Sequence, residues 1–188
     1  MLEHIPEGLG EAMRDIRPGL ERLVWADPAL VDVPDTIRLT SSAFQDGAPL
    51  PVRFTDDGPG VSPPLAWDAI PDTAAELLLI VEDADPPLLS PLVHAIVHRL
   101  TPAAGFLTEG GMSVDDPGIH IGRNSYLRTG WLAPDPPKGH GPHRYVFQLY
   151  ALGAPSELGE HPGRSAVRDV VEALAIARGR LIGTYERT

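Results

Sequence analysis

The chain contains no cysteine, so nothing in it needs an oxidising compartment. It has no run of about 18 apolar residues, the length a membrane-spanning helix demands. Its first residues, MLEHIPEGLGEAMRDIR, lack the basic and then apolar regions of a signal peptide. These absences lead us to expect a cytoplasmic protein. Basic residues are scarce: 15 Lys and Arg stand against 26 Asp and Glu, a formal net charge of −11. A surface of that sign repels nucleic acid and anionic membranes over roughly a 10 Å Debye length. Neither is expected as the main partner, although a local basic pocket could still take a small anion. There is no internal repeat and no low-complexity tract.

What is present suffices for one domain: 188 residues, 43% of them hydrophobic. The 21 prolines and 19 glycines are spread among apolar segments, a pattern of many short elements joined by turns. Leu9, Met13, Ile16, Leu20, Leu23 and Val24 recur at helical spacing, so residues 1–34 read as a helical N-terminal extension, broken or kinked near Arg17 by Pro18. That stripe must bury itself on the domain or on a second subunit, and a homodimer through it is the expectation.

From residue 35 the texture is strand and turn. DTIRLTSSAF, LPVRFT, ELLLIVED, LVHAIVHRL and HRYVFQLYAL are rich in β-branched and aromatic residues and are bounded by turn-formers such as QDGAP, DDGPG and PDPPKGHG. No helical pattern separates them, which favours a mainly antiparallel β-sandwich over residues 35–188. LLLIV is apolar on both faces, as a central strand should be. Near the C-terminus Ser165 is a plausible N-cap. Val167, Val170, Val171, Leu174, Ala177 and Leu181 follow the helical period, with Gly183 as the expected stop.

Two stretches carry the chemistry. In VEDADPPLLSPLVHAIVHRL, Asp83 and Asp85 sit beside Pro86 and Pro87, and His94 follows inside an apolar run. On a strand His94 and His98 would share a face, whereas Glu82 would face away from Asp83. A buried histidine seeks a partner, and a satisfied His–Asp pair is the plainest reading. In PDPPKGHGPHRYVFQLYAL a Pro/Gly-rich loop delivers His143, Arg144 and Tyr145 to the head of a strand. There His143 and Tyr145 share a face and Arg144 points the other way. Backbone N–H groups and an imidazole suit a phosphate or carboxylate, and a long hairpin loop without a ligand fits equally well.

Together these segments resemble the phosphatidylethanolamine-binding protein (PEBP) family, in particular its bacterial Raf kinase inhibitor-like (YbhB/YbcL) type. DADPP with His94 is similar to the family's first signature, PPKGHGPHRY to its second, and GVSPPLAWDAIPDTAAELLLIVED to its upstream segment and central strand. The resemblance implies a Greek-key antiparallel β-sandwich. Its pocket would bind a phospholipid's anionic head group, phosphate or acetate without catalysis. Carried over by motif position, Asp83, Asp85, His94 and His143 are its polar residues, with Tyr145, Pro137, Pro86 and Pro87 as walls and a cis peptide between Pro86 and Pro87. No cofactor is implied, and a kinase- or protease-regulating partner is. This sequence departs at Ala84, Pro86 and Ala95, at the acidic Asp135, and in the extra His98.

Two other classes remain. Asp83, Asp85, His94, His98, His140 and His143 are ligand types that would suit Zn²⁺ in a metal-dependent hydrolase, but without compact spacing. A serine hydrolase lacks its G-x-S-x-G elbow, since Ser90, Ser113 and Ser125 sit in ordinary loops. A protein-interaction module with no small ligand is the third reading.

Overall fold

The computed structural model describes residues 6–113 and 119–187. Its centre is the segment in which apolar residues leave no polar face. Glu76–Asp83 forms strand β3 and is buried along its whole length. Leu92–Leu100 (β4) pairs with it on one side and His143–Leu152 (β7) on the other. Ala175–Tyr185 (β8) and the short His120–Ile121 (β6) complete an antiparallel five-stranded sheet in the order β6-β4-β3-β7-β8. Arg38–Thr40 (β1), Leu65–Asp68 (β2) and Gly105–Leu107 (β5) make a smaller sheet ordered β1-β2-β5. The fold is thus mainly β, as expected.

Alternation along β3 explains the two cores. Leu77, Leu79 and Val81 meet Leu39, Leu65, Trp67 and Leu107 of the small sheet. Leu78 and Ile80 face outward and would be wet in a two-layer sandwich. Instead they pack against Val24, Leu30, Val167 and Val171, so a third layer covers the large sheet. That layer consists of helix α2 (Arg164–Leu174) and three 3-10 turns at Leu20–Arg22, Val24–Ala26 and Pro28–Leu30.

Several elements differ from expectation. The N-terminal stripe does not make a long helix. Among its described residues only Glu7–Ala12 (α1) is α-helical, and beyond Pro18 the chain continues as the 3-10 turns. Leu23 and Val24 turn inward, whereas Leu9 and Ile16 stay 49% and 42% exposed. LPVRFT is not a strand. Val52–Phe54 is a 3-10 turn that satisfies its own backbone, with Phe54 N–H donating to Pro51 O (3.0 Å) and Thr55 N–H to Val52 O (2.9 Å).

The C-terminal helix starts after Gly163, not at a Ser165 cap, and ends at Leu174. The residues expected to continue it form β8, in which Ala177, Gly179, Leu181 and Gly183 are buried at a spacing of two. Gly183 is therefore an interior strand position, not a helix stop. The close approach explains both glycines: a Cβ at Gly179 would lie 2.1 Å from Ile37 O, and one at Gly183 would lie 2.4 Å from Leu50 Cδ2.

Glu82 ties the third layer down. Fully buried on the outward face of β3, its carboxylate accepts from Val24 N–H (2.9 Å), Gln148 Nε2 (2.8 Å) and Arg164 Nε (2.6 Å). One side chain thereby engages the N-terminal turns, β7 and α2. Glu82→Ala leaves the guanidinium and the Val24 amide without their acceptor. Removing one partner of such a pair costs about 3–5 kcal/mol, read as a lower urea midpoint at unchanged slope. An unchanged midpoint would contradict this account of the layer.

Candidate functional site

The site forms where β3 ends. Asp83 is its last residue, in register with Tyr145 of β7 and Leu92 of β4. A bulge in β4 then decides which histidine joins it. Val81 pairs with Ala95 but Glu82 pairs with Val93, so His94 is the extra residue between them. The bulge places His94 beside Tyr145, with ring centroids 5.0 Å apart and edge-on. His98 falls on the opposite face with Ile96, its ring 5.6 Å from His120. The expectation that His94 and His98 share a face is thus corrected: strict alternation holds only without an inserted residue.

His94 Nδ1 lies 2.6 Å from Leu132 O. A carbonyl only accepts, so this nitrogen carries the hydrogen and Nε2 of the neutral ring is a bare acceptor. Nε2 and the Tyr145 hydroxyl are both buried with no hydrogen-bond partner among the described residues. Burial, the largest influence on each, holds His94 below the usual histidine value and pushes the Tyr145 phenol well up. The nearby Asp83 carboxylate raises His94 in part.

On the other flank of Tyr145 the His143 ring stacks at 6.4 Å. His143 Nδ1 is 2.7 Å from Asp83 Oδ2 and its Nε2 is 2.8 Å from His140 Nδ1. His140 Nε2 in turn is 3.0 Å from Met13 O. These three hydrogen bonds require three protons. With Asp83 ionised, neither end of the chain can donate, so all three sit on the four ring nitrogens. The two imidazoles then carry one positive charge between them, offset by Asp83. Burial first, and then the adjacent His143 and Arg17, hold His140 below the usual value.

His140 entered our sequence reading only as a metal-ligand type. The overlooked signal is GHGPH: Gly139 and Gly141 both take positive φ, 77° and 91°, and fold His140 back onto His143.

The remaining expected residues have other surroundings. Asp83 Oδ1 accepts from Asp85 N–H (2.8 Å), fixing the DADPP turn. The Asp85 carboxylate accepts from Arg144 Nε and Nη2 (each 2.7 Å) and from Arg144 N–H (2.9 Å), and Arg17 lies 3.5 Å away. Burial alone would raise this carboxyl, but Arg144 outweighs it and holds it below the usual range. Its oxygens are committed to arginines. Pro86, Pro87 and Pro137 are buried in the flanking loops. The Pro86–Pro87 bond is trans, contrary to expectation, and Leu88 N–H closes that turn onto Pro86 O (2.7 Å). Asp135 is paired with Arg187, which also binds Asp57. The proposed metal set does not assemble, because His98 faces away and Asp85 is paired. Among the described residues no group of three His, Asp or Glu side chains is placed to hold a metal ion. Ser125 Oγ accepts from Val93 N–H (2.7 Å).

The chain is similar to known proteins along most of its length. Residues 40–186 match the family model described as phosphatidylethanolamine-binding protein. A UPF0098 protein of Mycobacterium tuberculosis is 40% identical over 81% of this chain and 71% of its own. LppC of the same organism, whose name describes a candidate lipoprotein, is 38% identical over 95% and 87%. Among solved structures, a candidate PEBP homologue from Chlamydia trachomatis superposes with TM-score 0.74 at 34% identity, over 82% of this chain and 99% of that one. Escherichia coli YbcL shares the fold, with TM-score 0.76 at 24% identity over 81% and 99%. No helix among the described residues is long and apolar enough to cross a membrane.

Burial is the largest cause that lowers both His94 and His98. A histidine whose folded value is depressed binds fewer protons folded than unfolded. Stability is then complete above about pH 6.5 and is lost as pH falls below it. The slope reaches about 1.4 kcal/mol per pH unit for a ring kept neutral, as His94 is. The melting temperature should drop by several degrees between pH 7.5 and 5.5, and a flat profile would contradict the neutral assignment.

Proposed function

Because the chain belongs to the phosphatidylethanolamine-binding protein family, we propose that the pocket at Asp83, His94, His143 and Tyr145 binds a small oxyanion without transforming it. The oxyanion is of the kind a phosphorylated head group presents. The carrying observation is the pair of orphaned buried atoms, His94 Nε2 and Tyr145 Oη. A buried polar group without a partner costs about 1–3 kcal/mol, so two on one tyrosine-centred cluster point to a missing ligand atom. The Tyr145 hydroxyl can donate as it stands, and His94 Nε2 can donate once protonated. The charge shared by His140 and His143 adds attraction for an anion.

The arrangement favours binding over turnover. In the closed pocket both nitrogens of His143 are engaged, by Asp83 and His140, and an oxyanion that displaced His140 would itself occupy Nε2, which leaves neither to activate a water or hydroxyl. Asp85, held by Arg144, fixes the loop rather than touching the ligand. Pro86, Pro87 and Pro137 wall the cavity in this reading. An intact phospholipid and a free phosphate offer the same oxyanion, and competition between them would separate the two.

Binding should be linked to proton uptake. The free His94 is depressed, and a bound oxyanion favours its charged form. Affinity therefore rises as pH falls from 8 to 6, both for phosphate and for sulfate, whose own charge is constant there. Calorimetry in buffers of different ionisation enthalpy should register that proton. Tyr145→Phe and His94→Gln should each weaken sulfate binding about tenfold, equivalent to about 1.4 kcal/mol. Equal affinity at pH 6 and 8 would overturn the assignment.

A further inference from the structure

We propose that residues 7–17 are an internal latch that closes this pocket by holding His140 on the His143 ring, so that an oxyanion and the latch compete for His143 Nε2. The inference rests on the anion-site reading and adds its regulation. A ring nitrogen has one hydrogen-bonding direction, and that of His143 Nε2 is occupied by His140 Nδ1. Both rings are fully buried, so no solute reaches that nitrogen while His140 stays in place.

His140 is held from the N-terminal side. Its Nε2 meets Met13 O. Arg14 donates to Gly139 O from Nε (3.3 Å) and Nη2 (3.1 Å). Arg17 donates to Pro142 O (2.7 Å) and to the His140 carbonyl. Helix α1 presses onto the same loop: a Cβ at Gly10 would lie only 2.0 Å from Lys138 O. Lys138, Gly139, His140 and Pro142 of this loop are thus each met by residues 10–17.

The grip is of a releasable kind. It uses hydrogen bonds to main-chain carbonyls, three exposed and the two at His140 part-buried, and one longer Arg17–Asp85 contact of 3.5 Å, while Leu9 and Ile16 remain about half exposed. Among the described residues no core cluster includes a residue of α1, in contrast to Leu23, Val24 and Leu30 further on. Segments held this way open at low cost relative to global unfolding. The hinge is equally defined. Gly19 has φ +83° and its N–H is anchored on Ala84 O (2.8 Å), so residues before Pro18 can swing without disturbing the layer after it.

Limited trypsin digestion tests the latch on the full chain. Arg17 precedes proline and resists cleavage, which leaves the Arg14–Asp15 bond as the reporter. Inorganic phosphate at saturation should speed cleavage there at least threefold over sodium chloride of equal ionic strength. Gly10→Ala favours helix but collides with Lys138 O. It should raise the basal cleavage rate and tighten phosphate binding three- to tenfold by calorimetry. The wild-type measurement stands even if that variant fails to fold. Phosphate that binds but leaves the cleavage rate unchanged, or slows it, would overturn the latch and leave the anion site standing. Phosphate that binds neither wild type nor Gly10→Ala would overturn both.

Discussion

Three carboxylates within four residues, Glu82, Asp83 and Asp85, are all buried, and the structure depends on each having its own hydrogen-bonding partner. Like charges so close cannot share one partner in a poorly solvated interior. Strand alternation separates them. Glu82 goes outward to Arg164, Asp83 inward to His143, and Asp85 past the strand end to Arg144 and Arg17. The first pairing fixes the covering layer, the second builds the pocket, and the third anchors the loop against which the N-terminal segment lies. Structure and binding surface are consequences of one requirement at the end of β3.

The same requirement explains why an acidic chain can offer an anion site. The charge of −11 is a property of the whole surface, whereas a ligand in the proposed pocket would meet Tyr145, His94 and His143. Asp83 is offset there by the proton that His140 and His143 share, and Asp135 at the neighbouring loop is offset by Arg187.

Much of this was legible in the residues. β3, β4 and β7 carry dense β-branched and aromatic runs between strong turn-formers, and DADPP and HRY mark where they end. Other features left no such mark. β8 begins with Ala-rich residues whose spacing continues the helical period, and only contacts with Ile37 and Leu50 show why glycines at 179 and 183 make a strand. The bulge at His94 is a matter of register between two strands, which a period-two pattern in one of them cannot encode. Val52–Phe54 has strand-like residues but no partner strand. His140 joins the site through two left-handed glycines and is held by the main-chain oxygen of Met13, a contact with no side-chain signature. Glu82, expected to face away from Asp83, does face away; its importance comes from what it meets there.

The most direct measurement of the central claim is the protonation state of the pocket imidazoles, observed by nitrogen-15 NMR of labelled histidine with and without saturating sulfate. At pH 7.5 His94 should show a protonated Nδ1 and a bare Nε2, while His140 and His143 share three protons. Sulfate should then protonate His94 Nε2. A His94 ring that keeps its bare nitrogen under saturating sulfate would contradict the account.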